Sequence, residues 1–373
     1  MIGIINQLNI RFSPLIAYIW NILLSILFLY LFKLFCERII NGVITKIESK
    51  DFYVLTDQNK NYRCTLRGKF KKEFALKKDK LYITNIAAVG DTVEFEEANS
   101  SNGVIHSIKD RKNYISRKSP KVKGASYRGE RLEQIIAANI DQIVVISSVH
   151  QPEFNNKTLD RFLITSESAH INSVIAINKS DLITNDEITN WADLYEDIGY
   201  PVVVTSAVTR IGIEELKKIL PNKITLFWGQ SGVGKSTLLN LLFPQLNLKV
   251  GDISESTRKG VHTTVTSIMI PVDENTFVID TPGVREIDPY GIKKEDLSHY
   301  FPDFEDYLSN CKFNTCTHFH EPGCGVIDAV ENAEIAFERY DSYLRILNTI
   351  EEDLHFWLLL ILVFINMGLI EFS

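Results

Sequence analysis

The sequence predicts an α/β domain over residues 132–298, with a small β-barrel before it and a short cysteine-containing helical module after it. Three observations predict this order. Apolar segments that end in polar loops recur in the middle of the chain, short segments of alternating apolar and polar residues precede them, and three cysteines cluster after them. Strands joined by helices are typical of α/β sheets, whereas short strands separated by turns are typical of barrels.

The barrel is predicted over residues 38–118. Apolar and polar side chains alternate in residues 62–67 and again in residues 93–96, which is the period of a half-buried strand. The glycines that separate such segments are Gly42, Gly68, Gly90 and Gly103. Five basic residues could contact RNA from one barrel face, or could form an ordinary solvated surface. They are Arg63, Arg67, Lys69, Lys71 and Lys72.

A basic linker is predicted over residues 119–131. Basic residues begin at Arg111 and continue to Arg131, which indicates a flexible segment that attracts phosphate groups. The whole chain has a net charge of −7, so it is not a polycation that coats nucleic acid. Any recognition of nucleic acid therefore has to be local.

A phosphate loop follows the apolar strand at residues 224–228 and opens a helix. It comprises Gly229, Gln230, Ser231, Gly232, Val233, Gly234, Lys235, Ser236 and Thr237. Glycines allow backbone N–H groups to point at the phosphates, and the helix N-terminus adds further donors. Lys235 is expected to reach the β- and γ-phosphates, and the Ser236 hydroxyl to ligate Mg²⁺. The flanking strand and helix argue against an accidental glycine-rich turn.

A second motif predicts that the base is guanine. Asn178, Lys179, Ser180 and Asp181 end the apolar strand at residues 173–177. A carboxylate at Asp181 can accept hydrogen bonds from the ring N–H and the amine of guanine, whereas adenine offers no such pair. Asn178 would support the loop, and the Lys179 stem would cover the ring. Taken alone, this motif is also an ordinary polar turn.

Two further strands end in weaker signals. Ser206 and Ala207 follow the strand at residues 201–204 and suit a backbone contact to the guanine carbonyl oxygen. Asp280 ends the strand at residues 276–279 and is expected to hold Mg²⁺ through water. The Gly283 N–H would then approach the γ-phosphate. Thr263 and Thr264 are the candidates for the threonine that completes the Mg²⁺ shell.

The order of these motifs is unusual. In Ras-like GTPases the phosphate loop comes first, whereas here the guanine motifs precede it. The domain is therefore predicted to be a circularly permuted P-loop GTPase domain. Ras-like enzymes orient the attacking water with a glutamine, and Val284 stands at that position, which predicts slow intrinsic hydrolysis. His262 is the candidate replacement, although a surface histidine without a catalytic part fits nearly as well.

Three cysteines and two histidines fall in a short stretch after the GTPase domain, within the module predicted at residues 299–353. Cysteine and histidine ligands at this spacing predict a tetrahedral structural Zn²⁺ site, and a few unrelated thiols fit the clustering poorly. The proposed ligands are Cys311, Cys316, His318 and Cys324, with His320 as a rival for the histidine position. An amphipathic helix follows, and its apolar stripe is expected to pack on the module. The stripe comprises Phe337, Tyr340, Leu344 and Leu347.

The permuted motif order, the GVHTT loop at residues 260–264 and the cysteine spacing together resemble the RsgA family, also called YjeQ or YloQ, over residues 38–353. The resemblance implies a GTPase that acts with the small ribosomal subunit and its rRNA, and an OB-fold for the barrel. It also implies GTP or GDP with Mg²⁺ at the motifs above, one zinc ion per chain, with His318 as the histidine ligand, and a cytoplasmic monomer. Val261 replaces the family's usual arginine, which leaves open whether an arginine takes part in that loop, unless Arg258 or Lys259 substitutes.

The two ends of the chain do not fit this resemblance. Residues 1–37 include an uncharged apolar run at 14–32 that is long enough to cross a bilayer, and residues 354–373 include a shorter run at 356–370. These runs are either membrane anchors or dispensable extensions. In both cases the GTPase domain is expected to face the cytoplasm.

The leading hypothesis is a GTPase that assists late maturation of the small ribosomal subunit, is stimulated by it and leaves after hydrolysis. One alternative is a membrane-tethered, GTP-dependent switch with a protein partner. Another is an RNA-binding protein with OB and zinc modules and a vestigial nucleotide site. The intact Lys235, Ser236 and Asp280 argue against that last alternative.

Overall fold

The computed structural model describes residues 23, 39–68, 85–119, 133–183, 185–246, 248, 267–281 and 289–350. The strands in these residues are β1 (Ile39–Glu48), β2 (Asp51–Leu55), β3 (Asn61–Leu66), β4 (Thr92–Asn99), β5 (Asn102–Ile108), β6 (Tyr114–Lys118), β7 (Glu133–Ala138), β8 (Gln142–Ser148), β9 (Asn172–Asn178), β10 (Val202–Val204), β11 (Ile224–Gly229), β12 (Ile268–Pro271) and β13 (Phe277–Asp280). The helices are α1 (Asn156–Ser168), α2 (Asn185–Asp197), α3 (Ile213–Lys218), α4 (Lys235–Leu242), α5 (Glu305–Leu308), α6 (Gly325–Glu331) and α7 (Phe337–Leu347). Short 3₁₀ turns cover Ser180–Leu182, Pro244–Leu246, Leu297–Tyr300 and Pro302–Phe304.

Strands β1 to β5 close into a small barrel. Their neighbour order is β1-β2-β3-β5-β4, and β4 pairs back onto β1. The β3–β5 pair is parallel and the other pairs are antiparallel, as in an OB-fold. Side chains of β3 alternate strictly between exposed and buried, because one face of the strand lines the barrel core around Phe95 and Ile105. The predicted barrel fold is confirmed, although its strands end at Ile108 and residues 114–118 of the predicted range form β6, which lies in a separate two-stranded sheet.

Both arginines of the predicted basic set have partners within the chain. Arg63 forms an ion pair with Asp51 at 2.5 Å, and the Arg67 guanidinium lies 3.0 Å from Nδ1 of His106. The three lysines of the same predicted set lie outside the described residues. Any RNA contact through these two arginines would therefore have to compete with intramolecular interactions.

The start of the predicted basic segment is ordered. Arg111 donates to both carboxylate oxygens of Asp91, which is fully buried. Strand β6 follows and pairs with β7 in a two-stranded antiparallel sheet. The expectation of a flexible segment is therefore wrong for residues 111–118, because a buried ion pair and a strand hold them. Residues 120–131 lie outside the described residues.

The α/β domain is built on the strand order β10-β9-β8-β11-β13-β12. All pairs in this part of the sheet are parallel except β12–β13. Apolar clusters cover both faces, one around Trp228 and Phe162, the other around Phe227 and Leu238. The carboxyl ends of β9, β10, β11 and β13 therefore meet along one edge, where ligands bind in such sheets.

The barrel is joined to this domain through backbone pairing. Strand β1 pairs with β12 at Lys46 and Ile268, and the Ala138 N–H donates to the carbonyl of Val89 at 2.8 Å. Gly90 has φ +90°, and a Cβ there would lie 2.0 Å from the Ala138 carbonyl oxygen. A glycine is therefore required where the barrel meets the end of β7.

The C-terminal module packs around Phe301, Phe304 and Tyr343. Helix α7 buries Arg339, Tyr343 and Ile346. In the predicted stripe, Tyr340, Leu344 and Leu347 do pack on this core, whereas Phe337 is 67 % exposed. The prediction is wrong for Phe337, which shares a helix face with Leu344 but is the first residue of α7, two turns before Leu344 and beyond the packed part of that face.

In the part of the chain described above, no helix has the length and apolar character needed to span a bilayer. Apart from Leu23, the apolar runs at residues 14–32 and 356–370 lie outside it. Their role as anchors stays a prediction.

Candidate functional site

The phosphate loop leaves the central strand β11 and enters α4. Gly229 packs so closely on β8 that a Cβ there would lie 2.4 Å from the Ile146 carbonyl oxygen. Gly232 and Gly234 have φ values of +87° and +93°, which L side chains rarely adopt. The predicted glycines therefore permit the tight backbone curl that a phosphate cradle requires.

The guanine motif after β9 braces the phosphate loop. Asn178 Nδ2 donates to the Val233 carbonyl at 2.8 Å, and Thr205 Oγ1 donates to Asn178 Oδ1 at 3.2 Å. A Cβ at Gly234 would lie 2.4 Å from Asn178 Nδ2. Asn178 is 1 % exposed. The nitrogen and the oxygen of its side-chain amide both form hydrogen bonds, which link the loop after β9 to the phosphate loop and to the loop after β10.

Lys179 and Asp181 follow Asn178 in the guanine motif and contact two different loops. Lys179 has φ +65°, and its Nζ donates to the Gly232 carbonyl at 2.7 Å and to that of Gln151. Burial lowers the pKa of Lys179. Asp181 is exposed at the start of the 3₁₀ turn, where its Oδ1 accepts from the Ser206 hydroxyl at 2.5 Å. The structure therefore brings the two predicted guanine loops into contact.

Lys235 lies at the base of the site and is 5 % exposed. Its Nζ donates to the Asp280 carboxylate and to the Thr281 carbonyl. Thr281 Oγ1 in turn donates to the Phe227 carbonyl at 3.1 Å, which holds this loop to β11.

The other predicted nucleotide residues occupy the same loops. Ser180 and Ala207 flank the guanine side, and Gln230, Ser231, Val233, Ser236 and Thr237 belong to the phosphate loop and the first turn of α4. Four predicted residues lie outside the described residues, namely His262, Thr263, Thr264 and Gly283.

The cysteine cluster lies in the C-terminal module. The donor atoms of Cys311, Cys316, His318 and Cys324 all lie within 4.8 Å of one another. His318 Nδ1 is 3.3 Å from Cys324 Sγ and 3.5 Å from Cys311 Sγ, and these two sulfurs are 4.0 Å apart. Tetrahedral zinc requires edges of about 3.5 Å between nitrogen and sulfur and about 3.8 Å between sulfurs. The donor set therefore fits zinc, with Nδ1 as the histidine ligand, whereas His320 is exposed and outside the cluster.

Glu321 shapes the loop that carries His318, and the sequence interpretation missed it. Its carboxylate accepts from the Thr317 hydroxyl and from the N–H groups of Thr317, Phe319 and His320. Burial raises the pKa of Glu321, but hydrogen bonds from Thr317 and from backbone N–H groups outweigh it and lower the pKa to about 2. His318 has φ +53° within this loop. Glu321 directly precedes the Pro322-Gly323 turn, which is the sequence signal that could have identified it.

A buried ion-pair network, also missed, joins the C-terminal module that carries the cysteine cluster, called the metal module below, to the α/β domain. Arg339 of α7 donates to Asp160 of α1 and to Asp303. The side chains of Arg339 and Asp160 are 1 % and 0 % exposed. In sequence, Arg339 carries no signal that distinguishes it from a solvated arginine such as Arg345 on the same helix.

Comparison with known proteins agrees with this architecture. The family models described as RsgA N-terminal domain and RsgA GTPase match residues 41–105 and 108–290. A small ribosomal subunit biogenesis GTPase RsgA from Phocaeicola vulgatus is 39 % identical over 315 residues, which cover 83 % of this chain and 97 % of that protein. The chain belongs to the RsgA family. The predicted membership is therefore confirmed, and with it a GTP-hydrolysing enzyme.

Other members of the RsgA family support the same conclusion. The protein of that name from Chlorobaculum parvum is 37 % identical over 84 % of this chain and 99 % of its own length. The crystal structure of YjeQ from Thermotoga maritima matches with a TM-score of 0.65 and 34 % identity, covering 83 % of this chain and 98 % of that one. The crystal structure of YloQ, described as a circularly permuted GTPase, matches with a TM-score of 0.59 and 32 % identity, covering 83 % and 94 %.

Proposed function

We propose that this chain is a GTPase of late small-ribosomal-subunit maturation, which binds the subunit through its barrel and its metal module and leaves after GTP hydrolysis. The relatives named above are described as small ribosomal subunit biogenesis GTPases. The observation that carries the proposal is the Asn178 brace, because it unites the guanine and phosphate motifs in one site. The setting is the cytoplasm, where GTP and ribosomes are found.

In this proposal the guanine edge is recognised by Asp181, whose carboxylate is oriented by Ser206. The Ala207 backbone meets the guanine carbonyl oxygen, and the phosphate loop from residue 229 to 237 holds the phosphates. Lys235 exchanges Asp280 for the β- and γ-phosphates. Ser236 and, through water, Asp280 would hold Mg²⁺, which neutralises charge on the phosphates when bound.

Hydrolysis depends on residues that the described part of the chain does not include. With GTP and Mg²⁺ bound, Thr263 or Thr264 would supply the remaining protein ligand to the ion, the Gly283 N–H would donate to the γ-phosphate, and His262 would position water. Because Val284 cannot orient the attacking water, the free enzyme hydrolyses GTP slowly. Binding of the small ribosomal subunit favours the conformation in which this water is positioned. GTP hydrolysis then serves as a release signal.

The four-residue cluster would hold one structural zinc ion. Burial raises the pKa of Cys316 to about 12, and a bound Zn²⁺ would oppose this by stabilising the thiolate. Cys324, directly before α6, and the loop of His318 would both hold the ion, so a bound metal would cross-link these two segments. This keeps the surface of the module in one shape for its partner.

The test is GTP turnover of the full chain with purified small subunits, lipid vesicles or bare RNA added in turn. Small subunits are expected to raise kcat by about 10–10³-fold, below the roughly 10⁵-fold of an arginine finger. His262→Ala is expected to lose most of this stimulation while GTP binding is kept. Stimulation by vesicles alone would instead support the membrane-tethered switch, and no stimulation by small subunits would refute the proposal.

A further inference from the structure

The loop between β8 and α1, residues 149–155, is called the β8 loop below, and it borders both the guanine motif and the phosphate loop. The Val149 N–H donates to the Asn178 carbonyl at 3.1 Å, which ties the start of the β8 loop to the guanine motif. A Cβ at Gly232 would lie 3.7 Å from Cδ of Pro152, so the middle of the β8 loop packs beside the phosphate loop. The β8 loop is therefore a third wall of the nucleotide site.

Hydrogen bonds and one aromatic contact hold the β8 loop in shape. Ser148 Oγ donates to the Pro152 carbonyl at 2.8 Å, and the Phe154 N–H donates to the Val149 carbonyl at 3.2 Å. The centroid of the Phe154 ring lies 4.6 Å from that of Trp191 on α2, a distance at which aromatic rings attract one another. The β8 loop therefore presents its backbone groups to the site in a defined arrangement.

Gln151 of the β8 loop contributes its backbone carbonyl to the site. Gln151 has φ +53°, a left-handed conformation that is uncommon for residues other than glycine and that asparagine adopts more readily than most. Its carbonyl accepts from Nζ of Lys179, whereas its residue class is exposed. The left-handed conformation of Gln151 therefore sets the direction of the carbonyl that contacts Lys179.

Two carbonyls from separate loops fix the Lys179 ammonium. Its Nζ donates to Gly232 in the phosphate loop at 2.7 Å and to Gln151 in the β8 loop. An ammonium with one acceptor can swing about that oxygen, whereas two acceptors in different loops define its position. Ordering a lysine side chain costs rotamer entropy. A Lys179 stem that is already in place therefore lowers the cost of binding the nucleotide whose ring it covers.

We propose that Gln151 is a positioning residue of the nucleotide site, because its left-handed backbone directs the carbonyl that holds the Lys179 stem over the guanine ring. The proposal rests on the site proposed above, since it requires that guanine binds against Asp181 and Lys179. Lys179 serves the base and not the γ-phosphate, so GDP and GTP depend on Gln151 to the same degree. Loss of the contact should therefore raise KM for GTP rather than lower kcat.

The test measures release of fluorescent GDP and of a fluorescent, non-hydrolysable GTP analogue from the full chain after excess unlabelled nucleotide is added. Gln151→Val introduces a β-branched side chain, which resists a positive φ. It should speed the release of both nucleotides by roughly 10-fold, the worth of one charge-assisted hydrogen bond. Gln151→Asn can keep the left-handed conformation and should release both nucleotides at the wild-type rate.

His170→Val is the matched control for a general loss of stability. His170 is exposed and has φ +54°, so valine meets the same backbone strain there as at Gln151. It lies beyond the far end of α1, which is 13 residues long, and hence about 20 Å of helix away from the β8 loop. His170→Val should therefore release both nucleotides at the wild-type rate.

Three results would overturn the role of Gln151. They are equal release rates in wild type and Gln151→Val, equally fast release from His170→Val, and fast release from Gln151→Asn, which would show that the glutamine side chain itself is needed. Asp181→Asn in the same assay tests the guanine site separately. If Asp181→Asn loses GDP while Gln151→Val does not, the role of Gln151 fails and the site stands. If Asp181→Asn holds GDP as the wild type does, the guanine assignment fails and the proposal falls with it.

Discussion

Replacing Arg339 by methionine should strongly weaken the junction between the metal module and the GTPase domain. The guanidinium donates to Asp160, to Asp303 Oδ1 at 2.7 Å and to Asp303 Oδ2 at 3.1 Å. It also lies 4.6 Å from the ring centroid of Phe301. Methionine keeps most of the aliphatic stem but leaves two carboxylates without their cation.

The expected loss follows from burial. The Asp160 and Asp303 side chains are 0 % and 12 % exposed, and removing one partner of a buried ion pair costs about 3–5 kcal/mol. For a unit of 150–250 residues this lowers Tm by roughly 6–20 °C. Arg345→Met on the same helix is the matched control. Arg345 is 60 % exposed and pairs with Asp341 across one helical turn, so its loss should cost less than about 0.5 kcal/mol.

The measurement is urea unfolding of the zinc-loaded protein, followed by circular dichroism, for both single variants. A double variant with Arg339→Met and Asp160→Asn should recover part of the loss, because the stranded charge of Asp160 is then removed. If Arg339→Met costs no more than Arg345→Met, the network does not hold the module to the domain.

Three further predictions concern single residues. Asp181→Asn should shift the ratio of nucleotide affinities from GTP toward xanthosine triphosphate by up to about 10⁴-fold. The affinities of both nucleotides measure this shift, and an unchanged affinity for GTP would exclude the guanine assignment. Glu321→Gln should weaken zinc binding by about 10–100-fold in competition with a chelator, whereas the exposed Glu331→Gln should not. Gly90→Ala should lower the free energy of unfolding by about 1–3 kcal/mol, because Gly90 has φ +90° and its Cβ would meet the Ala138 carbonyl. Gly68 has nothing within 4 Å of the position that a Cβ would take, so Gly68→Ala should have little effect in the same unfolding measurement.

Local patterns made much of the fold and of the candidate site predictable. The alternation in β3 was visible because the buried face of a strand repeats every second residue, and the phosphate loop was visible because its chemistry restricts the residue types. The missed features depend on distant partners. Arg111 is ordered by Asp91, 20 positions away, and Arg339 by Asp160, 179 positions away. Neither arginine differs in sequence from a solvated one, so only the fold reveals its role.

The two flanking modules meet the GTPase domain at elements that also border the nucleotide loops. The barrel pairs with β12, which is the neighbour of β13 and hence of Asp280. The metal module holds α1 through Asp160, and the first turn of α1 borders the phosphate loop at Gln230 and Val233. Regular secondary structure therefore connects each module to elements that border the nucleotide site. Because the permutation places the metal module directly after Asp280, a ribosomal subunit that contacts both modules would act on the site from two sides. We accordingly expect deletion of the barrel alone to reduce stimulation without abolishing it.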